Sequence, residues 1–406
     1  MRRYFLHFIL VTFLIPGFSS CHNIFDDDDD EPANEYLIDY EMVKSYLPSF
    51  VETGFDLMVQ EYPEMAVIRE RVQYGIMVYK INYKTTFKGE QINASGLVSV
   101  PISGGTFPLL SYQNGTNTLH SNAPSVNPNY ELYMLLEFVA STGFVISMPD
   151  YLGFGTSDDM FHPYLHAEST VQSVTDMLRA VKEFSKYVNL TLNNDLYITG
   201  YSQGGWSTMQ LQKAIEEKYS NEFNLRASVP AAGPYDLTYI NDYITGSTTY
   251  PMPYFLGYIF NSYYELEVTT VSFSDIFKEP YASKIPDLYD GSKSGEEINA
   301  ELTTSIDELL TQNYINNYKT DEKFSSLTDA LEENSIGAWK TTIPTRIVHG
   351  TDDEFVPFRV SQNIYDDFKA KGAGNVTLVS VPGAGHTDGI IPAGLISIGW
   401  FLELTE

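Results

Sequence analysis

Six residues constrain this chain more than any others: Gly200-Tyr201-Ser202-Gln203-Gly204-Gly205. A β-branched and aromatic run, Leu196-Tyr197-Ile198-Thr199, leads into them, and a helix-like run, Trp206 to Lys218, leads out. A strand, Gly-x-Ser-x-Gly and a helix in that order form a turn so tight that the serine takes a strained backbone conformation. A side chain at either glycine would collide with a neighbouring strand or helix. The Ser202 hydroxyl is then expected to stand clear of the sheet, and the Gln203 N–H, opening the helix, to face a developing oxyanion. Glycine and serine are common in turns, so the pattern needs support from the rest of the chain.

That support is the order of elements. Short apolar strands at Phe107–Tyr112, Phe144–Met148, Leu196–Thr199 and Ala227–Val229 alternate with helical patterns at Leu132–Ser141, Val171–Val188 and Trp206–Lys218. Strands alternating with helices predict a parallel sheet covered on both faces. Ahead of them, Val72–Tyr83 and Ile92–Val100 read as an antiparallel pair, and Tyr40–Gln60 as a helix broken or restarted at Pro48. The alternation stops near Pro234 and resumes with a strand at Ile343–His349, a helix at Val360–Lys371, a strand at Val376–Val381 and a helix at Ile390–Leu404. Between lies a segment with little β pattern, with helices expected over Tyr254–Leu266 and Ser305–Tyr318. It is rich in aromatics: Tyr250, Tyr254, Phe255, Tyr258, Phe260, Tyr263 and Tyr264. These rings are expected to form the core of a helical cap, some of them lining a cleft beneath it. The predicted fold class is α/β, a mostly parallel doubly wound sheet with a helical cap insertion. The core falls in two parts, residues 36–235 and 343–406, around an insertion at 236–342.

A serine hydroxyl needs a base, and the base needs an orienting acid. In a parallel sheet the loops at the strands' carboxyl ends open on one side, so the partners are sought there. After the strand ending at His349 the chain reads Gly350-Thr351-Asp352-Asp353-Glu354-Phe355-Val356-Pro357. Register selects Asp353 as the acid, with Asp352 as the alternative. After the last strand, Pro382-Gly383-Ala384-Gly385-His386 offers His386 as base, third in the order Ser, acid, His. Of the seven histidines, His349 is read as structural, and His120, His162 and His166 are left as cleft residues. The second oxyanion donor is sought in Gln113-Asn114-Gly115-Thr116, with Asn114 chosen and Gln113 in reserve. No cofactor and no metal is expected.

With these residues in place, the chain resembles the α/β-hydrolases, and within them the secretory lipase (lipase A-like) family of capped hydrolases. Ser111-Tyr112-Gln113-Asn114-Gly115-Thr116, Pro149-Asp150-Tyr151-Leu152-Gly153-Phe154-Gly155 and Gly200-Tyr201-Ser202-Gln203-Gly204-Gly205 carry the resemblance. It implies activity on acyl esters of small molecules, glycans or lipids. Asp150 matches a family position near the site and is read as structural. A serine peptidase of the same fold and a catalytically inactive surface-binding lipoprotein are the alternatives.

The N-terminus points to export. Arg2 and Arg3 precede the apolar run Tyr4–Ile15, too short to span a bilayer and typical of a signal peptide over residues 1–20. Phe18-Ser19-Ser20-Cys21 resembles a bacterial lipobox, and Cys21 is the only cysteine, so residues 21–35 read as a lipidated tether with acids at Asp26–Glu31. A plain signal peptide with an incidental cysteine is the alternative. The expected location is the bacterial cell envelope, as an outer-membrane lipoprotein, with membrane contact through the anchor alone. A hydrophobic content of 43% gives a globular core, and a formal net charge of −29 excludes nucleic acid as a partner.

Overall fold

The computed structural model describes residues 34–405. The signal peptide, Cys21 and all but the last two residues of the acidic tether lie outside them. Nine strands, β1 (Leu37–Tyr46), β2 (Ile76–Phe87), β3 (Glu90–Pro101), β4 (Thr106–Gln113), β5 (Val145–Pro149), β6 (Thr191–Tyr201), β7 (Asn224–Ala231), β8 (Thr345–Gly350) and β9 (Val376–Val381), form one sheet. Their spatial order is β1-β2-β3-β5-β4-β6-β7-β8-β9. β1, β2, β3 and β5 pair antiparallel, and every pairing from β5 to β9 is parallel. The fold is thus α/β with a mixed, mostly parallel sheet, as the alternation predicts. The β2–β3 hairpin turns on Lys88-Gly89, both at positive φ, which matches the twist of the strands it joins.

Alternate residues of the central strands feed opposite faces. Leu109, Val145, Leu196 and Ile198 pack with Val174, Met177, Leu178 and Val181 of the helix Ala167–Phe184. Leu110, Ile146, Tyr197 and Val229 pack on the other face with Phe55 of the helix Pro48–Glu61, Phe138 of Glu131–Val139, and Phe401 of Ile390–Leu404. This two-sided burial is why the central strands read as continuous apolar runs.

Two expectations are corrected. The helix predicted over Tyr40–Gln60 is a strand followed by a helix. Residues 37–46 pair with the otherwise free edge of β2, and the helix begins at Pro48, whose fixed φ suits a first turn. Pairing with the sheet overrode the apolar spacing. The helix predicted over Ser305–Tyr318 is two short ones, Ile306–Leu309 and Gln312–Asn317. Leu310 is drawn into extended backbone by a bridge to Phe277, and the Thr311 side chain caps the second helix by accepting from Tyr314 N–H.

Between β7 and β8 the described elements are helices, the longest being Leu237–Thr245, Pro253–Glu265 and Ser325–Glu333. Tyr250, Tyr254, Tyr258, Phe260 and Tyr263 are buried there in one apolar cluster with Trp206 and Met209, while Tyr264 is exposed. Among the described residues no helix is long and apolar enough to cross a membrane.

Candidate active site

The turn after β6 is built as its glycines require. Ser202 sits at φ 61° and ψ −122°, ahead of the helix Gln203–Ala214. Its N–H donates to the Ala231 carbonyl at 2.9 Å, and its own carbonyl accepts from Trp206 N–H at 3.1 Å. A Cβ on Gly200 would lie 2.5 Å from the carbonyl oxygens of Gln113 and Gly204. One on Gly204 would strike the Gln113 carbonyl, and one on Gly205 the Ala231 carbonyl. Strands β4 and β7 therefore press on the turn from both sides, and only glycine permits their approach.

The loops after β8 and β9 meet at this turn. His386 Nε2 lies 2.9 Å from Ser202 Oγ, and His386 Nδ1 lies 2.7 Å from Asp353 Oδ2. The carboxylate only accepts, so the Nδ1 proton points to Asp353 and Nε2 is left to accept from the serine hydroxyl. Asp353 is held in turn. Its Oδ1 accepts from the N–H groups of Phe355 (3.0 Å) and Val356 (2.8 Å). Its Oδ2 also accepts from His349 Nε2 at 3.1 Å. Burial alone would raise the Asp353 carboxyl, but the hydrogen bonds and charges of His349 and His386 hold it well below the usual carboxylate range. Asp352 is exposed and accepts from Thr351 Oγ1, so of the adjacent acids it is Asp353 that joins the imidazole. Glu354 takes a different part and accepts from His386 N–H at 3.1 Å.

His386 is fixed from several directions. The Tyr201 hydroxyl donates to its carbonyl at 2.6 Å, and the rings of Tyr201 and Phe355 lie 5.2 Å and 5.1 Å from its imidazole. Tyr201 and Phe355 carry no signal of such a role in the sequence, and Glu354 reads there only as a loop or capping acid. His349, read as structural, supports Asp353 directly. Its position four residues before that aspartate, on the strand that delivers the loop, was the available signal.

The Gln203 side chain is turned away from Ser202 and donates to His162 Nε2 at 2.9 Å. His162 Nδ1 donates to the Leu152 carbonyl at 2.7 Å. Burial pushes this imidazole down to about 4, so it is neutral at ordinary pH. His162 is thus brought behind the turn, while His120 and His166 lie away from the Ser202 relay; His166 caps the helix Ala167–Phe184. Both side chains of the β4 loop point inward. Gln113 bonds Ser111 and Thr208, and Asn114 donates to the Pro149 carbonyl at 2.6 Å. The backbone of this loop comes close to the serine at Gly115, where a Cβ would lie 4.0 Å from Ser202 Cβ. Asp150 is buried and accepts from Ser95 Oγ and from the N–H and hydroxyl of Ser125, pinning the loop behind β5.

Two hollows open at Ser202. One, of about 570 Å³, runs beneath the helices between β7 and β8, with Leu237, Ile240, Ile244, Leu256, Ile259 and Phe260 on its walls. The other, of about 880 Å³, is lined by His386 and by loop residues including Asn114, Asn117, Asn122 and Thr387. Phe255 and Phe355 border both. Among the described residues no group of acidic, histidine or cysteine side chains is arranged to hold a metal ion.

A strained serine in contact with an imidazole that is itself held by a carboxylate, beside an apolar hollow and a more polar one, is suited to acyl transfer through a covalent intermediate. Comparison with known proteins agrees with that chemistry. The secretory lipase family profile matches residues 118–403. A solved structure of a putative hydrolase from Legionella pneumophila is 29% identical, with a TM-score of 0.80 over 91% of this chain and 98% of that one. The rice cell wall degrading esterase LipA from Xanthomonas oryzae is 25% identical, with a TM-score of 0.77 over 92% and 97%. Candida antarctica lipase A in its closed state shares the fold at 15% identity, with a TM-score of 0.64 over 89% and 81%. No curated protein matches significantly.

Proposed function

Because the chain belongs to the secretory lipase family, we propose that it is an exported serine hydrolase of carboxylic esters, with Ser202 as nucleophile, His386 as general base and acid, and Asp353 as the residue that orients His386. The observation that carries the reading is the unbroken relay from Ser202 Oγ to His386 Nε2 and from His386 Nδ1 to Asp353. His386 takes the hydroxyl proton as Ser202 attacks the ester carbonyl. The Gln203 N–H and a backbone N–H of the Asn114 loop hold the oxyanion. The depressed carboxyl of Asp353 remains ionised and favours the imidazolium as it forms. His386 then protonates the departing alcohol, water enters, and the same steps in reverse order of roles release the acid. Residues 236–342 act as the cap over the acyl side.

The test is Ser202→Ala, which should reduce kcat/KM on 4-nitrophenyl butyrate by about 10⁴-fold or more and abolish labelling by a fluorophosphonate. A parallel assay on aminoacyl-anilides separates ester from amide preference. Wild-type protein inert to both the ester and the fluorophosphonate would end the reading.

The N-terminal sequence supports export and attachment to the outer membrane through acylated Cys21. Cys21→Ala is expected to move the protein from the membrane fraction to the soluble one, read by immunoblot, without loss of esterase activity.

A further inference from the structure

Two rings stand where the hollows at Ser202 meet. Phe255 and Phe355 border both spaces, as Ser202 does. Their centroids are 6.2 Å apart and their planes are inclined at 60°, within the range of an aromatic contact, so the pair forms one apolar lip beside the nucleophile. Each ring is half-buried and so within reach of a molecule in the site. The two are held differently. Phe355 belongs to the loop after β8. Its N–H donates to Asp353 Oδ1, its carbonyl accepts from Tyr250 Oη at 3.1 Å, and its ring lies 5.1 Å from that of His386. A substitution there would disturb the relay. Phe255 belongs instead to the helix Pro253–Glu265, and its ring pairs with that of Tyr254 at 4.1 Å and with Phe355.

The relay decides which half of the substrate meets each hollow. The leaving alcohol takes its proton from His386, and His386 lines the more polar hollow. The alcohol therefore belongs there, and the apolar hollow is left to the acyl chain, which stays bonded to Ser202. The first carbons of that chain must then pass the lip. Resting on the esterase reading above, we propose that Phe255 is a specificity residue that selects acyl groups by their width next to the carbonyl. Its ring narrows the entrance to the apolar hollow. Unbranched chains pass, whereas an acyl group branched at the carbon beside the carbonyl meets the ring. Specificity then comes from a clash with the wrong acyl group as well as from burial of the right one.

The experiment compares kcat/KM for 4-nitrophenyl hexanoate and its isomer 4-nitrophenyl 2-ethylbutanoate. The ratio of their rates with hydroxide ion gives the intrinsic effect of branching. Wild-type enzyme is expected to favour the straight chain by about tenfold or more beyond that ratio. Phe255→Ala should lower the enzyme's ratio by about tenfold, towards the intrinsic one. Phe255→Leu, with a smaller apolar side chain, should fall between, and it stands in for the alanine variant if thermal melting shows that variant unfolded. A wild type without the preference overturns the proposal alone, as does a folded variant in which both rates change in step. A wild type inert to both esters and to fluorophosphonate overturns the esterase reading and takes this one with it.

Discussion

Asp353 Oδ2 receives two imidazoles, His386 and His349, and the second has no direct contact with Ser202. In the neutral tautomer that donates from Nε2, His349 Nδ1 is free to accept a hydrogen bond from the Ser361 hydroxyl at 2.6 Å. Ser361 thus acts through His349 on a carboxylate that His386 and the N–H groups of Phe355 and Val356 also hold. Asp353→Asn keeps the volume but offers an amide where Nδ1–H needs an acceptor. It is expected to lower kcat on 4-nitrophenyl butyrate by roughly 10³- to 10⁴-fold with little change in KM. Asp352→Asn, on a side chain turned to solvent, should leave both constants within about twofold of wild type.

At the scale of elements, the turn after β6 is held by what packs against it. Gln203 opens the helix and is tied through His162 to the loop after β5. In the unfolded chain this imidazole titrates near 6.5, and in the fold burial lowers it to about 4. Between those values the unfolded state binds more protons. The folded state is therefore unpenalised above 6.5 and loses stability as pH falls from 6.5 towards 4. The interval corresponds to roughly 3 kcal/mol. Urea midpoints measured from pH 7 to pH 4 should fall less steeply in His162→Gln than in wild type; equal slopes would show that His162 is not held neutral. Another pairing ties β1 down. The Lys44 ammonium lies 2.9 Å from the fully buried Glu137 carboxylate and donates to the Pro128 carbonyl. That contact, invisible in the local pattern, helps explain why residues 37–46 are a strand of the sheet instead of a helical turn.

Across the whole molecule the formal charge of −29 sets a field that local contacts do not. The field reaches about 30 Å at 0.01 M salt and about 10 Å at 0.1 M. Hydrolysis of an ester with a distal carboxylate should therefore be slower than that of a neutral ester of the same length, and raising NaCl from 10 to 300 mM should narrow the gap. Initial rates of the two esters against ionic strength check this. A gap that does not change with salt would place the discrimination in the pocket and not in the long-range field.

The order of strands and helices, the glycine turn at Ser202 and the loops carrying Asp353 and His386 were legible in the sequence because they depend on short-range geometry. A parallel strand buried on both faces is a run of apolar residues, and a turn pressed by two backbones needs glycine wherever it occurs. Other features depend on contacts between distant segments. The edge pairing that makes 37–46 a strand, the His349 support for Asp353 and the Gln203–His162 tie bring together residues with no shared spacing.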